Sequence, residues 1–178
     1  MKKNIILIGF MGVGKGTTAR AYAEKYKCFN IDTDDLIESK ANCKIKEIFK
    51  EHGEKYFRSL EQECANWIES SVDDSLISCG GGFFNVNNLN KLGTVVLLDA
   101  SYDWIYNRLS TAENAKAKLK KRPLFLEPKK AKKLYNERQE SYKELANIII
   151  NVEGKELKSI IKEIHKKTSK RLELLENK

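Results

Sequence analysis

Residues 9–18 read GFMGVGKGTT, and Gly9, Gly14 and Lys15 fall on the pattern G-x-x-x-x-G-K-[ST]. That spacing turns successive backbone N–H groups inward around a phosphate, and a helix starting near Lys15 adds the positive end of its dipole. Lys15 can then reach the outer phosphates as a mobile point charge. The last position of the pattern, which offers a hydroxyl to Mg²⁺, is Gly16 here. Gly12, Val13, Gly14, Lys15, Gly16, Thr17 and Thr18 are therefore the expected phosphate cradle of a nucleotide site. Its metal has to be held by phosphate oxygens, waters and a carboxylate from elsewhere, since Thr17 and Thr18 are displaced along the helix. The bland alternative is a tight strand-to-helix turn.

Four further stretches carry candidate chemistry. In NIDTDD, Asp32 and Asp34 project to one side if strand geometry persists, because side chains alternate with period two. One carboxylate could stand near the metal and the other accept a substrate hydroxyl's proton; helix capping by Thr33 or Asp34 is the plain alternative. In HGEKYFRSLEQE, Arg58 and Glu61 first read as a surface ion pair worth about a few tenths of a kcal/mol, and Phe49, Tyr56 and Phe57 as core residues. In SCGGGFF, Gly80, Gly81 and Gly82 bare the backbone to a ligand, or else form a flexible loop. KKRPLFLEP is a basic connection between helices, suited to a lid in which Arg122 closes over phosphates. Arg138, on the helix that follows, is an anion clamp or a solvated charge.

The elements that must position these residues follow from periodicity. Continuous apolar or short strand-like runs at 4–8, 28–32, 75–79, 94–100 and 146–152 predict strands. Helical patterns fill 15–25, 34–41, 44–52, 54–71, 101–110, 128–145 and 155–176, with Gly53 punctuating the third and fourth. Strands separated by helices imply crossovers, hence an α/β fold with a parallel sheet covered on both faces. Ligands in such sheets sit beyond the carboxyl ends of the strands, where the loops after 8, 31 and 79 should converge.

Composition narrows the function classes. A chain of 178 residues fits one domain, 1–178, without disulfide staples. The four cysteines are far apart and lack C-x-x-C spacing, which argues against a zinc site or disulfide framework and for a reduced, cytoplasmic setting. The basic, apolar start is too short for a secretory signal, and no run approaches the roughly 20 apolar residues that span a bilayer. The net charge of +8 is spread and partly interleaved with acidic residues, so it suits anionic small substrates better than nucleic acid.

Taken in order and spacing, GFMGVGKGTT, IDTDDLIE, IFKEHGEKYFRSLE, SCGGGFF, RPLF and ERQESYKELA make the chain resemble shikimate kinase over roughly residues 4–151. The resemblance implies a nucleoside-monophosphate-kinase-like fold with a five-stranded parallel sheet flanked by helices and a mobile lid near 110–124. The substrate-binding region falls near 33–61. It implies ATP and Mg²⁺ as cofactors and phosphorylation of the 3-hydroxyl of shikimate, in aromatic amino-acid biosynthesis, by a cytoplasmic enzyme expected to be monomeric. Residue by residue, Asp34, Arg58, Gly80, Gly81, Gly82 and Arg138 would hold shikimate, the two arginines taking its carboxylate, with Asp34 the base. Lys15 and Arg122 would neutralise the transferring phosphoryl group, Asp32 would face the Mg²⁺ shell, and Arg108 would pack against adenine, with INVEG bordering it. Under this resemblance Arg58 becomes a substrate ligand rather than a surface ion pair.

Two departures stand out. Gly16 replaces the family's hydroxyl, and GKGT is also similar to adenylate kinases, whose substrate would be a nucleoside monophosphate. The connection from Arg108 to Arg122 is longer than the family's and holds four lysines, so Lys118, Lys120 or Lys121 could share or replace the role of Arg122. A nucleotide-binding regulatory module without catalysis is the remaining rival, with Gly16 as its symptom.

Overall fold

An isoleucine-rich run without polar alternation has to be covered on both faces. Ile5–Ile8 (β1) meets that demand, with all four side chains buried at the centre of a five-stranded sheet. The computed structural model describes residues 2–111, 113, 115 and 123–177. Among these, β1 is followed by α1 (Lys15–Tyr26), β2 (Asn30–Asp32), α2 (Thr33–Ala41), α3 (Ile45–Ser71), β3 (Leu76–Ser78), β4 (Thr94–Asp99), α4 (Tyr102–Ser110), α5 (Pro128–Leu145), β5 (Ile148–Asn151) and α6 (Leu157–Glu176). The strand order is β2-β3-β1-β4-β5, and every neighbouring pair is parallel. Helices flank the sheet as the strand–helix alternation requires, and Ile6, Leu7, Leu76, Ile77, Val96 and Ile150 form its fully buried heart. No helix among the described residues is long and apolar enough to cross a membrane.

Register matters more for the site than strand count. Ser78 pairs with Asp32 on one side and with Leu7 on the other, so β2 and β3 end level and β1 runs one residue further. The three loops that follow open onto one carboxyl edge. β2 is shorter than the 28–32 run predicts, beginning at Asn30. Of the 110–124 lid, residues 112, 114 and 116–122 lie outside the described residues, and with them Arg122, Lys118, Lys120 and Lys121.

α2 and α3 build a second, smaller core from Ile37, Ile48, Phe57 and Leu60. α3 is continuous from Ile45 to Ser71 but bends at Gly53, whose φ of 76° and ψ of 178° interrupt the helical geometry. The sequence divides this stretch into two helices at the same glycine. Phe49 and Tyr56 are not core residues as expected: they are 38% and 45% exposed. Phe49 rests against the buried Phe57, with ring centroids 4.8 Å apart.

The Gly53 conformation is one that only glycine adopts without strain, although the space around it is open. Gly53→Ala is expected to destabilise the fold by about 1–3 kcal/mol, which lowers the melting temperature by roughly 2–4 °C per kcal/mol. Thermal denaturation followed by circular dichroism checks this; an unchanged midpoint would mean the bend is not strained.

Candidate active site

Gly14, the N-cap of α1, sits in the left-handed region and supplies no side-chain cap, and no acidic residue occupies the first turn. Its first N–H groups are thus left to an outside acceptor, as an anion site needs. Lys15 Nζ donates to the carbonyls of Gly9 (2.7 Å) and Phe10 (3.3 Å), folding back over the loop that precedes it. Arg108 donates to the carbonyl of Gly12, and its guanidinium lies 4.7 Å over the Trp104 ring. Val13 and Thr18 are buried while Thr17 is exposed.

Asp32 and Asp34 do meet at the mouth of the sheet, but not by strand alternation. The strand stops at Asp32, which caps α2 by accepting the Asp34 N–H through Oδ1 at 3.0 Å. Asp34 already belongs to the first helical turn, and neither it nor Thr33 is the cap. Thr33 Oγ1 instead accepts the N–H of Gly80 at 3.0 Å, tying α2 to the loop after β3. The Asp34 carboxyl lies so close to Gly80 that a Cβ there would collide with it. Burial pushes its pKa up from 3.8 to about 6; the Asp32 carboxylate adds to the rise and the Lys15 ammonium opposes it.

Gly82 serves Arg58 as Gly80 serves Asp34: a Cβ at this position would collide with the guanidinium. Arg58 does pair with Glu61, at 2.5 Å, and also with Glu54, at 2.7 Å. The pair with Glu61 is not a surface one, because the Glu61 side chain is only 2% exposed. Burial raises the Glu61 pKa against the pull of Arg58 and Arg138. Arg138 approaches the same glycines from α5, donating to the Gly81 carbonyl at 2.8 Å. A Cβ on Gly81 would stand 3.5 Å from Arg138 Nη1 and 3.9 Å from the backbone nitrogen of Met11. The phosphate-type loop, the Gly80–Gly82 floor and the two arginines thus share one recess. Arg108 stands on the other flank of the loop.

Three positioning residues escape a reading of the motifs one at a time. Glu61 holds Arg58, and its i, i+3 spacing is the visible signal. Tyr142 is buried and donates to the Gly81 carbonyl at 2.6 Å; it lies one helical turn beyond Arg138, so the two share a face. Ser78 carries no local signal at all, since only its register against Asp32 brings it to the site. All four cysteines are free, and no cluster of metal-binding side chains of the His, Cys, Asp and Glu type occurs among the described residues.

Residues 11–169 match the family model described as shikimate kinase. The chain is 42% identical over 176 residues to a shikimate kinase of a Sulfurihydrogenibium species, an alignment covering 95% of this chain and 99% of that one. It is also 42% identical over 149 residues to the shikimate kinase of Helicobacter hepaticus, covering 84% and 86%. Among solved structures, shikimate kinase from Acinetobacter baumannii in complex with shikimate superposes with a TM-score of 0.75 at 27% identity, covering 98% of this chain and 94% of that one. Shikimate kinase from Aquifex aeolicus superposes with a TM-score of 0.71 at 31% identity, covering 90% and 93%.

The Asp34 shift has a stability consequence of fixed sign. Because the folded state holds the proton up to about pH 6 and the unfolded state only to about 3.8, this group's contribution is present below the lower value and lost as pH rises through the upper one. Asp34→Asn is expected to raise the melting temperature at about pH 8 and to do so less at about pH 4. Equal shifts at both values would exonerate the charge.

Proposed function

The chain belongs to the shikimate kinase family, and on that premise we propose how its residues divide the reaction. The family's activity is phosphorylation of the 3-hydroxyl of shikimate by ATP with Mg²⁺, a step of aromatic amino-acid biosynthesis, and this chain carries that activity. The observation that supports the division of labour is the convergence of Asp34, Arg58 and Arg138, from α2, α3 and α5, on the bare backbone of Gly80–Gly82 beside the Lys15 loop.

Arg58 and Arg138 take the substrate carboxylate. A guanidinium offers paired, charge-assisted hydrogen bonds where a lysine offers a point charge. Glu54 and Glu61 hold the first fork and the Gly81 carbonyl the second, so little freedom is left to lose on binding. Gly80, Gly81 and Gly82 form the floor on which the ring lies. Asp34, ionised above about pH 6, accepts the proton of the hydroxyl that attacks; its raised pKa makes it a stronger base than an ordinary aspartate.

On the other side, the backbone N–H groups from Gly12 to Thr18 cradle the phosphates. Lys15 exchanges the carbonyls of Gly9 and Phe10 for phosphate oxygens and, with Arg122 of the lid, neutralises charge on the group in transit. Arg108, stacked on Trp104, packs against the adenine. Asp32, through water, together with the phosphate oxygens would hold Mg²⁺, which would offset the charge of the phosphates when bound. Four cysteines without pairing spacing suit a reducing, cytoplasmic compartment, and every named role falls within one chain, which suits a monomer organised as a single domain. An adenylate-kinase-like reaction would leave the paired arginines and the glycine floor without a job.

The test is ADP release coupled to a spectroscopic assay, with shikimate and with AMP as acceptors. Shikimate is expected to support turnover and AMP not. Arg58→Ala should raise the KM for shikimate about 10- to 100-fold, the equivalent of losing a charge-assisted pair of about 1.5–3 kcal/mol, with a smaller effect on kcat. Asp34→Asn should lower kcat by about 10²–10⁴-fold with KM little changed. Turnover on AMP in place of shikimate would overturn the assignment.

A further inference from the structure

Gly16 leaves the site without the hydroxyl that would follow Lys15, and the space beside it is not empty of chemistry. A Cβ on Gly16 would stand 3.7 Å from Asp32 Oδ2 and 3.9 Å from Ser78 Oγ, ordinary contacts that leave room between these oxygens and the loop. Asp32 and Ser78 are register partners in adjacent parallel strands, so their side chains leave the sheet on the same face. Asp32 Oδ1 is committed to capping α2, which leaves Oδ2 toward Gly16. Ser78 is only 3% exposed, yet its hydroxyl makes no hydrogen bond with any described residue.

We infer that Ser78, together with Asp32, replaces the missing loop hydroxyl by holding a water of the Mg²⁺ shell over Gly16. The inference rests on the phosphoryl-transfer reading above. The donor set fits the ion: Mg²⁺ keeps several waters and takes one or two carboxylates plus phosphate oxygens rather than an all-protein cage. The coordination position vacated at residue 16 goes to water. A coordinated water donates two hydrogen bonds, and a carboxylate oxygen and a serine Oγ are two acceptors within reach of one spot. Arg20 Nη1 faces the same spot, 3.4 Å from the Gly16 Cβ position. It is the end of an exposed side chain, and it must turn outward when the metal arrives.

The test reads metal binding rather than turnover. Mn²⁺ binding to the ADP-saturated protein is measured by electron paramagnetic resonance, and ADP affinity by calorimetry with and without Mg²⁺. Ser78→Ala is expected to weaken the metal affinity about 10-fold, as the loss of a group supporting a metal's ligand does, with metal-free ADP binding unchanged. Adding Gly16→Ser to Ser78→Ala should restore the metal affinity, and Ser78→Thr should keep it. Should Ser78→Ala fail to fold, Ser78→Cys, similar in volume but a poor acceptor, is expected to weaken the metal in the same way. Unchanged metal affinity in a folded Ser78→Ala or Ser78→Cys protein overturns the inference. So does wild-type ADP affinity that is indifferent to Mg²⁺. Normal metal coupling without shikimate-dependent ADP release would instead sink the kinase assignment and spare this one.

Discussion

Close approach of charged side chains to bare backbone is the constraint on which this site depends. Asp34 and Arg58 lie where the Cβ atoms of Gly80 and Gly82 would be, and Arg138 reaches the carbonyl between them. A side chain at Gly80 would displace the Asp34 carboxyl, and one at Gly82 would displace the Arg58 guanidinium. The glycines are therefore not a loose turn: Thr33, Arg138 and Tyr142 each hydrogen-bond to their backbone, and the floor is pinned from two helices.

Electrostatics sharpen what sterics permit. A carboxylate buried beside another carboxylate becomes a better base, and only the nearby Lys15 ammonium keeps Asp34 from being held neutral still further up the pH scale. Glu61 works in the opposite direction. It is buried to hold Arg58, and one of its oxygens has no hydrogen-bond partner among the described residues, so the fold accepts a cost at Glu61 to fix the direction of a guanidinium. That is the trade expected where positioning matters more than stability.

The two halves of the site differ in readiness. The arginines and the glycine floor already make the hydrogen bonds that orient them, whereas Lys15 is turned onto the carbonyls of its own loop and, in the proposed reaction, would swing to meet a phosphate. Arg108 is pinned on the flank of that loop by Trp104 and the Gly12 carbonyl. In the proposed reaction the acceptor side is thus largely preformed, and the nucleotide loop would complete itself on binding.

What the sequence settled by itself was whatever depends on neighbours along the chain. The phosphate loop is legible because its glycines and lysine must keep one spacing. The strands and helices are legible because burial imposes periods of two or 3.6, and Gly53 is legible as a break because glycine alone tolerates its backbone angles. What only the tertiary structure decided depends on which distant element covers a given face. Periodicity alone left Phe49 and Tyr56 in the core, but in the folded chain both are exposed. It left Glu61 on the surface, but in the folded chain its side chain is only 2% exposed. Asp32 and Asp34 came together through a helix cap instead of strand alternation, and Ser78 entered the site only through sheet register. Local spacing fixes which way a side chain points; what it points at is set by packing between segments far apart in sequence, which no local pattern encodes.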